Sequence, residues 1–298
     1  MIRKLSELVD LAKAKRKRKI AVASAGDYDV LEALKNAEEN NIVEPVLIGI
    51  KSNIEKISGE IGYDISKHEI IDIEDRLEAS LHATQLIRDG HADILMKGLV
   101  STGILLKAVV NKEHGLRKGD VISHIAIFES PYYHKLLAIT DAAMNVAPTF
   151  EDKIALINNA VEVFHLLGEP NPKVAVVGAV ETVNQRMEST MHAATLSMMN
   201  KRFQIKGCTI DGPLALDNAI SKKAAELKGI ESDVAGNVDI VVAPDINGAN
   251  FLYKALNFLG GATTAAVIMG AKVPIVLTSR ADSMKIKFYS IALAAAIG

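Results

Sequence analysis

Short apolar runs alternate along this chain with segments whose apolar positions recur every three or four residues, as buried strands and amphipathic helices require. The run KIAVASAG (19–26) has a basic lead-in and a glycine stop. In DVLEALKNAEENN, which follows, Val30, Leu31, Leu34 and Ala37 share one helical face. EPVLIGI (44–50) and HEIIDI (68–73) read as further strands, and Asp75 opens the amphipathic helix RLEASLHATQLIRDG, closed by Gly90. ADILMKG (92–98) is a strand ending in Lys97 and Gly98, followed by the helix STGILLKAVVNK (101–112). DVISHIAIFES and HKLLAITDAA, joined by PYY, form an antiparallel pair.

A second series starts near Pro148. Thr149 caps a long helix (149–168), Asp152 stands three residues on, and Gly168 ends it. KVAVVGAV (173–180) is a strand, MESTMHAATLSMMNK a helix and FQIKGCTI a strand. A helix from Pro213 to Leu227, the strand NVDIVVAPD and the helix NGANFLYKALNFLG continue the alternation. KVPIVLTS returns as a strand, and residues 282–297 form an apolar closing helix. The pattern predicts an α/β fold of two domains with mixed, mainly parallel sheets. Residues 1–145 with a returning segment, 265–298, form the first domain, and 146–264 the second.

Composition narrows the function classes. A chain of 298 residues, 49% of them hydrophobic, can bury a large core. Its net charge of −2 argues against a general nucleic-acid binder, and the absence of Trp with only 4% aromatics argues against a base-stacking platform. One cysteine, Cys208, allows no internal disulfide and reads as a buried structural thiol. Without a secretory h-region or an apolar run of membrane-spanning length, a cytoplasmic protein with no membrane partner is expected. The basic run KAKRKRK (13–19) reads as a solvated lead-in, and the eight scattered histidines show no metal-ligand spacing.

In open parallel sheets, ligands collect at the C-terminal strand ends, where helix N-termini also attract anions. Four such ends carry polar residues. LMKGLVST offers Lys97, Gly98, Ser101 and Thr102, and ITDAAMNVAPT offers Asp141 and Asn145. VVAPDINGAN offers Asp245, Asn247 and Asn250, and LTSRADS offers Ser279, Arg280 and Asp282. Hydroxyls, amides, a lysine and an arginine together suit a phosphoryl group. Ser101 and Ser279 equally suit helix N-caps, Asp141 and Asp245 turns, and Arg280 a surface ion pair.

LTSRADS, ITDAAMNVAPTFEDK, ADILMKG, GPLALDNAIS and VVAPDINGANFLYKAL together resemble the phosphate acetyl/butyryltransferase family, with GPLALDNAIS and LMKG looking like its butyryl branch. The resemblance implies two α/β domains of isocitrate-dehydrogenase-like architecture with the active site in the interdomain cleft, and a homodimer or higher homo-oligomer. It implies reversible transfer of a short acyl group between CoA and inorganic phosphate, giving acyl phosphate. Acyl-CoA and CoA are then substrates, and no metal or cofactor is needed. By the same resemblance Arg280 holds phosphate and Ser279 hydrogen-bonds the developing oxyanion or the phosphate; the polar strand ends themselves supply Lys97, Gly98, Ser101, Thr102, Asn145, Asp245 and Asn247 as substrate-binding candidates. Two positions depart from the acetyl branch. The proposed base seven residues after the serine is replaced by Ile286, which leaves Asp282 or the cationic site itself to activate the thiol. A substrate-binding arginine is replaced by Lys107. Phosphate acetyltransferase is the alternative within the family, and a metal- and NAD(P)-dependent decarboxylating dehydrogenase and a non-catalytic CoA-binding scaffold are the alternatives from other classes.

Overall fold

A computed structural model of the chain describes every residue except Met1, Lys112 and Arg280. The order begins α1 (Leu5–Lys13), β1 (Arg18–Ala23), α2 (Tyr28–Glu39), β2 (Val43–Gly49), α3 (Lys51–Glu60), β3 (Glu69–Asp72), α4 (Arg76–Arg88), β4 (Ile94–Lys97) and α5 (Thr102–Val109). It continues β5 (Ser123–Glu129), β6 (Leu137–Thr140), α6 (Phe150–Leu166), β7 (Lys173–Val177), α7 (Glu188–Lys201), β8 (Thr209–Leu214), α8 (Leu216–Ile220), α9 (Lys222–Leu227), β9 (Ile240–Val242) and α10 (Ile246–Phe258). It closes with β10 (Thr263–Met269), β11 (Ile275–Val276) and α11 (Met284–Ile297).

The chain divides into two compact units. The N-terminal unit comprises Leu5–Asp120 and the returning segment Thr264–Gly298, and the central unit comprises Met1–Lys4 and Val121–Thr263. The division thus falls after Asp120, not near 146. The reason is strand pairing: β5 and β6 form an antiparallel hairpin, and β6 then pairs in parallel with β9, so the hairpin belongs with the later strands.

In the N-terminal unit the strand order is β3-β2-β1-β4-β11-β10. β3, β2, β1, β4 and β11 are all parallel, and β10 runs antiparallel to β11. β1, β2 and β4 are almost wholly buried, as expected for strands covered on both faces. α11 is buried from Ser290 to Ile297 and packs on α1 and α2. Its Ser290 hydroxyl accepts from the Ala266 N–H of β10 at 2.9 Å. In the central unit the order is β5-β6-β9-β7-β8, with β6, β9, β7 and β8 parallel. The predicted caps form there: Thr149 and Asp152 complete a capping box on α6, and Gly168 follows with φ +88°.

Several elements differ from the pattern-based reading. Residues 13–19 lead into β1 with Lys13 and Arg16 exposed, but most of their cations have partners. Arg16 pairs with Asp93, Lys17 with Glu38, and Lys15 and Arg18 donate to the Ala296 and Gly298 carbonyls at the end of α11. α1 ahead of them buries Leu5, Leu8 and Ala12, a helical stripe hidden in a cationic segment. β10 is a strand of Thr and Ala as much as of large apolar residues, so its signal is weak. KVPIVLTS narrows to the two-residue β11, because Pro274 has no N–H for a ladder. Pro213 lies in β8, and the expected helix splits at Ser221, whose side chain caps α9.

Candidate active site

Five parallel strands of the N-terminal unit end on one edge, and that edge gathers most of the polar candidates. Lys97 is the last residue of β4 and is 5% exposed. Its ammonium lies 3.4 Å from the Gly98 and Val100 carbonyls, folded over its own loop. Gly98 has a steric cause. Its N–H donates to the Ala23 carbonyl, and an added Cβ would lie 2.2 Å from the Ser24 carbonyl oxygen, so no side chain fits where β4 and β1 end. Ser101 caps α5, accepting from the Ile104 N–H at 3.3 Å; Thr102 begins that helix and Lys107 is exposed in its last turn. A cavity of about 100 Å³ opens on the same edge, walled by Ile50, Ile73 and Leu99, with Ser24, Asn53, Glu74 and Arg76 as its polar lining.

After β11 comes the buried Thr278, and beyond it Ser279 and Asp282 are tied to each other by hydrogen bonds. Ser279 is exposed and does not cap α11; Ser283 holds that position and makes no side-chain cap bond. The Ser279 hydroxyl accepts from the Ala281 N–H at 3.3 Å, which leaves its own proton to donate outward. Asp282 is 6% exposed, and its carboxylate accepts from the Ser279 N–H at 2.7 Å. The Asp282 N–H returns to the Ser279 carbonyl at 3.2 Å. Arg280, the expected phosphate ligand, lies outside the described residues. Ile286 is half-buried in the first turn of α11.

The central unit has its own edge of strand ends. Asp141, 3% exposed, accepts from the N–H groups of His124 (3.2 Å), Ala143 (2.8 Å) and Met144 (2.9 Å) and from the Asn145 amide (2.6 Å). Asn145 also donates to the Ile122 carbonyl at 3.0 Å. Asp245 caps α10 through the Asn247 and Gly248 N–H groups, Asn250 donates to the Ala142 carbonyl, and the Asn247 side chain is exposed. Close by in sequence order, Lys153 of α6 reaches His192 Nδ1 of α7 at 3.1 Å. Burial holds both below their ordinary pKa values, the Lys153 charge adding to the effect on His192.

The structure therefore places Lys97, Gly98, Ser101, Thr102, Lys107, Ser279 and Asp282 in the N-terminal unit, and Asn145, Asp245 and Asn247 in the central unit. Asp141, Asn145, Asp245 and Ser101 are occupied in shaping loops and helix starts. Ser24, Asn53 and Arg76 were not singled out from sequence; the glycine stops after β1 and β2 were the signal for the first two, and the helix start at Asp75 for Arg76. Nor was Lys287, buried in α11. Cys208 is buried, and burial pushes its thiol up to about 11. Among the described residues no group of three or more His, Cys, Asp and Glu side chains is placed to hold a metal ion, and no helix is long and apolar enough to cross a membrane.

A family model described as phosphate acetyl/butaryl transferase matches residues 4–79 and 76–295. The chain is 48% identical over 297 residues to the phosphate butyryltransferase of Clostridium beijerinckii, covering 100% of this chain and 98% of that protein. It is 47% identical over 291 residues to the phosphate acetyltransferase of Thermotoga maritima, covering 98% of each. Among solved structures it is similar to a branched-chain phosphotransacylase from Enterococcus faecalis, with a TM-score of 0.84, 32% identity and coverage of 94% of this chain and 98% of that one. These likenesses lend nothing to the decarboxylating-dehydrogenase alternative. The Asp141 network makes a separate prediction about the framework. Asp141→Asn exchanges an acceptor for a donor facing N–H groups, and should lower unfolding free energy by about 2 kcal/mol or more. Urea denaturation measures this, and an unchanged midpoint would show that the network does not hold the loop.

Proposed function

We propose, for a chain that belongs to the phosphate acetyl/butyryltransferase family and is a phosphate acyltransferase, that the acyl group passes directly between CoA sulfur and a phosphate oxygen. In one direction the CoA thiolate attacks the carbonyl of an acyl phosphate, and phosphate leaves with the bonding pair. In the other, a phosphate oxygen attacks the thioester and the CoA thiolate leaves. The observation that carries this reading is the edge of the N-terminal unit, where the exposed Ser279 hydroxyl and the Lys97 ammonium end parallel strands that pair through β11 and β4. A hydroxyl aimed at the developing oxyanion stabilises the tetrahedral transition state more than the ground state. Cationic groups at the same edge favour phosphate and offset its charge as it leaves.

No acyl-enzyme is part of this reading, since the Cys208 thiol is buried and pushed up to about 11. Arg280 is the phosphate ligand by its place in the Ser-Arg pair, with Lys97, Gly98, Ser101, Thr102 and Lys107 lining the approach of phosphate and CoA. The cavity beside Asn53 and Arg76 has the apolar walls and polar rim suited to one end of CoA. Asn145 and Asp245 serve binding by fixing their loops, and the exposed Asn247 by direct contact. Asp282 serves through Ser279, so the cationic edge, rather than a carboxylate base, favours the thiolate of a thiol whose pKa is roughly 8.5. The setting is cytoplasmic, and neither metal nor cofactor takes part.

A homodimer belongs to the same reading. α10 buries only Ala249, while Phe251, Phe258 and Leu259 are 72%, 67% and 89% exposed. With Ala255 they form one stripe at the spacing of helix-to-helix contacts. Phe258→Glu should shift the protein from dimer to monomer in sedimentation velocity at micromolar concentration; a monomeric wild type would remove the dimer.

The reaction is tested by free-thiol release from butyryl-CoA and acetyl-CoA at millimolar phosphate, before and after chelator treatment. Release should depend on phosphate, run faster with butyryl-CoA and survive EDTA. No release from folded protein would contradict the acyl-transfer reading, acetyl-CoA as the faster substrate would contradict the butyryl preference, and loss with EDTA rescued by a divalent cation would contradict metal-free chemistry.

A further inference from the structure

Lys287 is a charged residue on the buried side of α11, 3% exposed, in a helix whose remaining buried positions are Ser290 and a run of Ile, Leu and Ala. An apolar side chain would satisfy that burial without the cost of desolvating an ammonium. The lysine must therefore be explained by what its head group touches. Its ammonium donates to the backbone carbonyl of Asp282. Its ion-pair partner is Asp29, in the first turn of α2, at 3.7 Å with a side chain 45% exposed. That pairing is long and half-solvated, so it offsets the buried charge only in part.

Asp282 is tied to Ser279 in both directions. Its carboxylate holds the Ser279 N–H at 2.7 Å and its N–H holds the Ser279 carbonyl at 3.2 Å. A continuous chain of contacts thus runs from Asp29 through Lys287 and the Asp282 backbone to Ser279. We propose that Lys287 is a positioning residue for acyl transfer: by anchoring the Asp282 carbonyl it fixes Asp282 and, through the two hydrogen bonds between Asp282 and Ser279, the direction of the Ser279 hydroxyl. The same buried charge sits behind Asp282 and Ser279 and favours a phosphate dianion in front of them. The inference rests on the acyl-transfer reading above, and Lys287 itself touches no substrate.

A double-mutant cycle between Lys287 and Ser279 tests it. Lys287→Met keeps length and volume but removes the donor and the charge. In the wild-type background it should lower kcat by roughly tenfold or more and raise the phosphate KM, with acyl-CoA KM little changed. In a Ser279→Ala background the same change should lower kcat by less than about twofold, because the group it positions is gone. Lys287→Arg, which keeps charge and donor, should recover part of the loss. Equal losses in both backgrounds would overturn the proposal, since a merely structural lysine acts without regard to Ser279, and so would an unaltered kcat in folded Lys287→Met. Should Lys287→Met not fold, Lys287→Leu, which likewise lacks the donor and the charge, carries the same cycle. Wild-type thiol release in the same assay separates the readings: an inactive wild type overturns both, whereas an active wild type with an additive cycle overturns this one alone.

Discussion

Two residues of strand decide where the chemistry of the N-terminal unit is placed. β11 pairs in parallel with β4 through Ile275 opposite Leu95 and Val276 opposite Met96. The chain leaves this unit at Asp120 and returns at Thr264, and the short ladder is where the returning segment meets the earlier one inside the sheet. Because the pairing is parallel, both strands end on one edge: Lys97 and Gly98 follow Met96 there, and the segment leading to Thr278 and Ser279 follows Val276. The antiparallel bond to β10 and the packing of α11 on α1 and α2 hold β11 in that slot. The contacts of Lys15 and Arg18 with the last carbonyls of α11 fasten the same helix from the other side.

Polar groups at strand ends divide into those that build the site and those left to act in it. Asp141 spends its carboxylate on four donors, Asp245 on two N–H groups, and Ser101 on the start of α5. Carboxylates so engaged make rigid loops. Asp282 belongs with them, being tied to Ser279. Ser279 stands apart: it is exposed, caps no helix, and accepts one N–H bond while keeping a donor. A preorganised donor of this kind is the feature that the proposed acyl transfer uses.

Much of this was legible in the sequence. Strands ending in Lys97–Gly98 and in LTSR, and helices opened by Asp75, Ser101 and Thr149, follow from local rules that neighbouring residues obey. Ser101 as a cap was one of two open readings, and geometry chose it; for Ser279 geometry rejected the same reading, because α11 starts four residues later than a cap at 279 would allow. What escaped was tertiary. The stripe of α1 was masked by its cationic neighbours, and β10 by its small side chains. The unit boundary escaped because which strands the β5–β6 hairpin joins is set by pairing with β9, far along the chain. Lys287 gave no signal at all: a lysine between Ile286 and Phe288 looks solvated until α11 is packed.

The central claim is that the contacts after β11 serve to aim the Ser279 hydroxyl at reacting atoms. The most direct measurement is kcat and melting temperature together for Ser279→Ala. The account predicts a fall in kcat of roughly 10²-fold or more, with little change in acyl-CoA KM and an unshifted melting temperature, because the side chain is exposed and caps no helix. A folded Ser279→Ala protein with wild-type kcat would contradict it.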